Sequence, residues 1–408
     1  MSRIAFCWEF GSNLGHLSRL LPLASELRKR GHEVLVAVRD VRLATELLAP
    51  SGVPFVQSPR MGEAPRERRD PVGYADMLFL QGWGNAAELW GAAQAWGNLL
   101  RLFRASAVVV DYSPAALLTA RIIGLPCAIL GTGFEVPPLQ TPLPGFPGAP
   151  AFSTTTGAET AETRVLASAN EVLRAYGASQ LGALRDLFQT DKRWLTTFAE
   201  LDQYGARAGE DYIGPIGSLD RAESASWPDG FYSRVLAYLR PETPGLKEIA
   251  EVLASQPELA VICAVPGLAA ESLKLSARTG FQLFSRPVSF SSLLPQASLF
   301  VSYGPAASVT QSLLRGVPQL IAPAHVEAQM TAVRVLAIGA GLVLRKDSTK
   351  EAVRDSLTRV LGDPRVKSRA LNFAQRHREF NPARAVDRIV TEIEALAAGG
   401  LRKSAAAG

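Results

Sequence analysis

Two side chains in the first half of the chain have the types needed to move a proton on or off a hydroxyl. His16 directly follows the loop Glu9-Phe10-Gly11-Ser12-Asn13-Leu14-Gly15, and Asp111 closes the apolar run from Ala107. An imidazole can act as general base near neutral pH, and a neighbouring carboxylate fixes its tautomer and stabilises the imidazolium. Both residues lie just past expected strands, on the sheet edge where doubly wound folds place their sites. Each also suits a bland role, His16 capping its own helix and Asp111 the helix that starts at Pro114. Spacing alone leaves the dyad and the two caps equally open.

The loop before His16 is a second candidate. Gly11, Ser12, Asn13 and Gly15 could cradle a phosphate, although paired glycines are common in ordinary strand–helix turns. A stronger anion candidate lies within Leu299–Leu344, which reads as strand, small-residue turn, helix, strand, loop, helix, strand. Its first turn, Tyr303-Gly304-Pro305-Ala306-Ala307-Ser308, opens a helix with little side-chain bulk, so backbone amides and the helix dipole are within reach of an anion. Pro305 supplies no N–H but fits a first helical turn. Its second turn carries His325, Glu327 and Gln329; an acid and an amide that both reach hydroxyls suit a polyol. The bland readings are a tight strand–helix turn and a solvated helix start.

Other residues point away from further chemistry. Cys7, Cys127 and Cys263 sit in apolar runs with no CxxC spacing, which fits buried free thiols in a reducing compartment. His325 and His377 lack metal-ligand spacing, and no metal is expected. Trp83, Trp90 and Trp96, seven and six residues apart, fit one packed face of a helix from Tyr74 to Leu102; an apolar acceptor pocket involving Trp83 and Trp90 is the other reading. The net charge of +5 over 408 residues, with no basic stripe, argues against a nucleic-acid partner. No apolar run approaches about 18 residues, and the first residues read as a strand rather than a leader, so a cytoplasmic protein without a transmembrane segment is expected. Contact with a membrane surface stays open.

The elements that must position these residues alternate strand and helix. Strands at Arg3–Trp8, Glu33–Val38 and Ala107–Asp111, with helices between, begin a doubly wound parallel sheet of the α/β class. A Pro-rich segment, Thr132–Pro150, has no period and reads as a long surface loop. Helices are expected over Thr160–Tyr176 and Gln180–Phe188. At 408 residues the chain exceeds the roughly 250–300 that one core usually serves. The reading is two Rossmann-like domains facing across a cleft: 1–213, a turn-rich linker over 214–230, and 231–381. A helix over 382–398 packs back on the first domain, and a small-residue tail, 399–408, is disordered.

These segments resemble the UDP-glycosyltransferase-like enzymes of the inverting GT-B superfamily, which includes bacterial natural-product and macrolide-type glycosyltransferases. The resemblance is carried by GSNLGHLSRLLPLASELRKRGHEV, by VVVDYSPAALLTARIIGLP, and by SRPVSFSSLLPQASLFVSYGPAASVTQSLLRGVPQLIAPAHVEAQMTAVRV. It implies His16 as general base with Asp111 as partner. It implies the donor base near Arg286-Pro287-Val288, the diphosphate on Gly304 to Ser308, hexose hydroxyls on Glu327 and Gln329, and Gly267 facing the cleft. The donor would be a UDP- or dTDP-type nucleotide sugar, with no cofactor and no metal, and the acceptor a small or lipid-like molecule.

The chain departs from the family pattern in two places. Tyr303-Gly304-Pro305 stands where His-Gly-Gly is usual, and VLAYLRPETP ends in Arg240-Pro241 instead of a small Gly/Ser-Thr turn. Arg240 is therefore expected to replace the charge lost at Tyr303 and to bind the diphosphate through its fork of donors. In the sugar turn, Ala328 separates the acid from the amide. A GT-B-fold sugar-nucleotide-binding or accessory protein is the competing reading, and a sugar-nucleotide epimerase a third.

Overall fold

The computed structural model describes residues 1–11, 14–61, 69–146, 155–217, 223, 225–231, 233–269, 273, 275 and 278–406. The chain divides into two compact units, one made of residues 1–217 with 381–408 and the other of 218–380. Part of the charged loop around 60–70 and part of the 214–230 segment lie outside the described residues, as do Ser12 and Asn13.

In the first unit, β1 (Arg3–Trp8), β2 (Glu33–Val38), β3 (Phe55–Gln57), β4 (Ala107–Asp111), β5 (Cys127–Gly131) and β6 (Lys192–Leu195) pair in parallel in the order β3-β2-β1-β4-β5-β6. The central strands β1 and β4 are almost wholly buried, as expected of a parallel sheet covered by helices on both faces. The second unit repeats this plan with β7 (Ser233–Tyr238), β8 (Leu259–Ala264), β9 (Phe281–Phe284), β10 (Leu299–Ser302), β11 (Gln319–Ile321) and β12 (Gly341–Val343), ordered β12-β11-β10-β7-β8-β9. In both sheets strand order reverses between the first and fourth strands, β1/β4 and β7/β10. At such a reversal the connecting helices leave to opposite faces and open a crevice beyond the strand ends.

The last helix, Pro382–Ala406, packs against the helix Leu14–Lys29 and against β4. Ala385, Ile389, Ile393 and Ala397 recur every four residues and are buried, so one stripe of the helix enters the core of the first unit. Trp194 Nε1 donates to Glu392 Oε2 at 3.0 Å, and Arg30 Nη1 to Glu394 Oε2 at 3.1 Å. The helix continues past residue 398, where a disordered tail was expected.

Three other expectations fail for local reasons. The Trp-rich region is not one helix: a turn at Phe79–Trp83 with Gly82 at φ 93° ends the first segment, and Asn85 caps a new helix, Ala86–Phe103, accepting from the amides of Ala87 and Glu88. Trp83 and Trp96 are fully buried while Trp90 is 45% exposed, stacked on Tyr176, so they do not share a face. The helix expected over Gln180–Phe188 is a single 3-10 turn, Leu184–Phe188. Finally, the segment from Thr132 is no surface loop. Phe134, Glu135, Val136, Leu143 and Phe146 are all buried. Side chains satisfy its backbone: Gln203 Oε1 accepts from the Phe134 amide, Arg207 donates to the Val136 carbonyl and Arg193 to that of Pro137. Buried irregular backbone needs such partners, and here polar side chains from residues 193–207 provide them.

Candidate active site

His16 and Asp111 meet at the strand reversal of the first sheet. Trp8 and Asp111 are register partners at the ends of β1 and β4, and the helix Leu14–Lys29 sets out from the loop after β1 with His16 in its first turn. His16 Nδ1 lies 2.9 Å from Asp111 Oδ1. The carboxylate therefore holds the proton on Nδ1 and leaves Nε2 as the basic nitrogen. The imidazole is 7% exposed and stacks on Trp8 and Tyr112, with ring centroids at 5.2 and 5.9 Å. Burial alone would lower its pKa; the Asp111 carboxylate and its hydrogen bond, helped by Glu135, outweigh burial and Arg19, so the net direction is upward.

Gly11, expected in a phosphate loop, has another place. It sits at φ 80° against the imidazole, and a Cβ on it would stand 2.5 Å from His16 Nε2. Gly15 lies inside the helix, its carbonyl taking the Ser18 hydroxyl. The capping role open to Asp111 falls to Glu9. Its Oε2 accepts from the Ala115 amide and the Ser113 hydroxyl, both at 3.1 Å, at the start of the helix Pro114–Ile123. Glu9 is 2% exposed, and its Oε1 has no hydrogen-bond partner. Burial pushes its carboxyl up to about 7 despite the two donors and Arg39.

Two charged residues missed in the sequence complete the centre. Arg19, one helical turn after His16, places Nε 3.3 Å from Asp111 Oδ2 and Nη2 2.9 Å from Glu135 Oε1. Glu135 Oε2 accepts from both the amide and the hydroxyl of Thr132, and Arg19 Nη1 donates to Thr196 Oγ1. Although burial opposes ionisation, the charges of Arg19 and His16, the hydrogen bond from Arg19 and one from the backbone bring the Glu135 carboxyl down to about 2. His16, Asp111 and Glu135 each offer a metal-ligand atom within 4.8 Å of the others. The Arg19 guanidinium, paired to both carboxylates, already supplies a positive charge there. The signal for Arg19 was its i+3 spacing from His16; for Glu135 it was an acid among buried-type residues just past β5.

The aromatic surroundings of His16 also differ from expectation. Trp83 and Trp90 have no described contact with it. Phe10 and Phe134 each meet Tyr112 edge-on, at 5.6 and 5.7 Å, and Phe134 contacts Phe146 at 5.1 Å. These rings back Tyr112, which with Trp8 stacks on the imidazole.

In the second unit the equivalent strand reversal, β7/β10, carries Arg240 and Tyr303. Tyr238 and Ser302 are register partners; Arg240, two residues past the first, places its guanidinium carbon 5.1 Å over the ring of Tyr303, the residue after the second. Burial pushes the Tyr303 phenol up to about 12 even with Arg240 beside it, so it stays a neutral donor. Arg240 Nη1 is 3.6 Å from the exposed Glu242. Gly304, at φ 90°, donates its amide to Ser302 Oγ, and a Cβ there would strike the Ala328 carbonyl at 3.0 Å. Its N–H is thus engaged, and the amides left as anion-binding candidates are those of Ala306, Ala307 and Ser308, the first turn of the helix Ala306–Leu314 behind Pro305.

Glu327 and Gln329, both half-buried, lie in the first turn of the helix Val326–Ile338, whose cap His325 approaches Tyr303 at 6.4 Å between ring centroids. Gly267 is exposed after β8, its amide given to the Ser285 carbonyl. Arg286 is exposed and Val288 buried. The Glu223 amide donates to the Pro287 carbonyl and the Ser289 amide donates to the Glu223 carbonyl, so the Val288 amide and carbonyl point the opposite way.

Two Rossmann-like sheets, with a buried His–Asp pair at the reversal of the first and a small-residue helix start at that of the second, define the GT-B class. Residues 283–394 match the family profile "Erythromycin biosynthesis protein CIII-like, C-terminal domain". The chain is 26% identical over 420 residues to 4'-demethylrebeccamycin synthase of Lentzea aerocolonigenes, covering 94% of this chain and 97% of that protein. It is 33% identical over 112 residues to the NDP-glycosyltransferase YjiC of Bacillus licheniformis, covering 27% of this chain and 28% of that protein. The calicheamicin glycosyltransferase CalG4 matches with a TM-score of 0.71 at 19% identity over 97% of this chain and 98% of that one. The spinosyn rhamnosyltransferase SpnG, complexed with thymidine diphosphate, matches with a TM-score of 0.66 at 18% identity, over 95% and 100%. The chain has the GT-B fold and is similar in sequence to glycosyltransferases that build natural products. Among the described residues, no helix is long and apolar enough to cross a membrane.

Proposed function

We propose that the protein transfers a hexose from a nucleoside-diphosphate sugar to an acceptor hydroxyl with inversion, using His16 as general base. The observation that carries this is the 2.9 Å bond from His16 Nδ1 to Asp111 Oδ1, with Nε2 directed at the bare Cα of Gly11. The acceptor hydroxyl gives its proton to Nε2 as its oxygen bonds the anomeric carbon. The bond from that carbon to the diphosphate breaks, and its electron pair leaves with the nucleoside diphosphate. Asp111 stabilises the imidazolium that forms.

The donor belongs to the second unit. Its diphosphate lies on the amides of Ala306, Ala307 and Ser308 and on the Arg240 guanidinium, which takes over the charge an imidazole at position 303 would supply. Tyr303 donates its phenolic hydrogen, Glu327 and Gln329 grip the sugar hydroxyls, and the Val288 backbone faces the nucleobase with Arg286 beside it. The leaving charge is met by amides, a helix dipole and a guanidinium, so no metal is called for. The SpnG complex with thymidine diphosphate supports a dTDP- or UDP-type donor. The rings beside His16 favour a small apolar or lipid-like acceptor.

A thermal-shift screen of uridine and thymidine diphosphate sugars tests the donor reading. A ligand at 100 times its dissociation constant stabilises by about 2.7 kcal/mol. The responding donor is then offered with aglycones, and the anomeric configuration of the product is read by NMR. If no such sugar nucleotide raises the melting temperature, the proposal falls and a GT-B-fold accessory protein takes its place.

A further inference from the structure

We infer that the buried Arg19–Glu135 ion pair is a positioning device for the His16–Asp111 pair, in which Glu135 draws the Arg19 guanidinium aside so that Asp111 stays engaged with the imidazole. This rests on the general-base reading of His16.

Geometry carries the inference. Arg19 stands one turn from His16 on the same helix, and its nearest acid on β4 is Asp111, the imidazole's own partner. Left to itself, a guanidinium docks on a carboxylate through two parallel bonds and would compete for both Asp111 oxygens. Here Nε approaches Asp111, at 3.3 Å from Oδ2, and Oδ2 has no hydrogen bond of good geometry. The shorter contact, 2.9 Å, goes from Nη2 to Glu135. Oδ1 is thereby left to His16.

Glu135 is held for this task. Its Oε2 is bound twice by Thr132, the Tyr74 hydroxyl contacts its carbonyl, and the backbone of its neighbours is pinned by Gln203 and Arg207. Arg19, Asp111 and Glu135 are 6%, 0% and 2% exposed, so their charges act on one another with little solvent between them.

Charge counting gives the sign. The groups facing His16 are Asp111 from β4, Arg19 from its own helix, Glu135 from the segment after β5, and the ring of Tyr112; the Tyr74 hydroxyl reaches the Glu135 carbonyl. With a neutral imidazole, His16, Asp111, Arg19 and Glu135 sum to −1, and with an imidazolium to zero. Proton uptake therefore neutralises the cluster. Without the Glu135 charge the same uptake leaves the cluster at +1, and the imidazole becomes a weaker base. Without the Arg19 charge the sum runs from −2 to −1, and the imidazole holds its proton more tightly.

Three full-length variants test this: Glu135→Gln, Arg19→Gln, and the double variant, which restores the wild-type charge count. Histidine NMR titration reads each directly, because only four histidines exist and a His16→Gln spectrum assigns the site. Expected is a downward move of the His16 midpoint in Glu135→Gln, an upward move in Arg19→Gln, and a return toward wild type in the double variant. The acidic limb of kcat should move with it, and kcat in Glu135→Gln should fall on the order of tenfold. Circular dichroism checks that each variant folds; if Arg19→Gln does not, Glu135→Gln against the double variant still decides. A His16 midpoint that stays at the wild-type value in Glu135→Gln overturns the inference. A midpoint that moves while the rate limb stays fixed upholds the coupling and overturns His16 as the base.

Discussion

A methyl group on Gly11 would stand 2.5 Å from Nε2 of His16, closer than any real Cβ contact. The one basic nitrogen that Asp111 leaves available is thus uncovered only because residue 11 has no side chain. Gly11→Ala adds the strain of a left-handed φ to that collision, so the loop or the imidazole must move. Misplacing a base by about 1 Å can cost 10²-fold in rate. The expected outcome is a loss of transfer of that order with donor affinity retained, read by steady-state kinetics beside calorimetric titration of the nucleoside diphosphate.

Asp111→Asn tests whether the carboxylate orients the imidazole. The amide can accept from Nδ1 or donate to it, so the wrong tautomer, with the proton on Nε2, becomes available. Transfer should fall by about 10²–10⁴-fold, the usual contribution of general-base catalysis. His16→Gln should fall by a similar amount, and the double variant by little more, because the two act as a unit. Additive losses in the double variant would argue for separate roles.

Arg240 and Tyr303 give the donor side its test. Arg240→Ala should weaken nucleoside diphosphate binding by about 10-fold or more, since hydrogen bonds to charged groups are worth roughly 1.5–3 kcal/mol. Calorimetry on the folded variant measures it directly. Unchanged affinity would remove Arg240 from the diphosphate site and leave the helix amides of Ala306 to Ser308 to hold the anion alone.

Glu9 predicts a pH dependence of stability away from catalysis. Its folded pKa of about 7 lies above the ordinary value of 4.5. A raised folded pKa means the native state binds the proton more tightly than the unfolded chain does. The resulting stabilisation is complete below the unfolded value and is lost as pH rises through the folded one. Denaturant melts of wild type should therefore weaken between about pH 4.5 and 7 relative to Glu9→Gln, which keeps an acceptor for the Ala115 amide but cannot ionise. Parallel stability curves for the two proteins would refute the assignment.

Much of the first site was legible because its parts follow strong signals. Apolar runs mark β1 and β4, and His16 and Asp111 stand at their carboxyl ends, where a doubly wound sheet collects ligands. Arg240 and Tyr303 were legible as departures from a familiar pattern, and the structure places them in contact. Glu135 was not, because the chain from Thr132 has no period. Nothing local reveals that Gln203 and Arg207, about 70 residues on, satisfy its backbone and let it be buried. The tryptophans misled for the opposite reason: their spacing looked regular, but Gly82 and the Asn85 cap restart the helix between them.

The last helix adds Ile389 and Ile393 to the core of a unit whose first strand begins at Arg3, while residues 218–380 form the other unit without interruption. During synthesis, the later-starting unit is the one that can be completed first. The earlier one must wait, with its His16 centre already made, for a stripe of apolar side chains more than 160 residues further along. Truncations from the C-terminal side should for that reason damage the first unit, which begins the chain, before they touch the second unit nearer the cut.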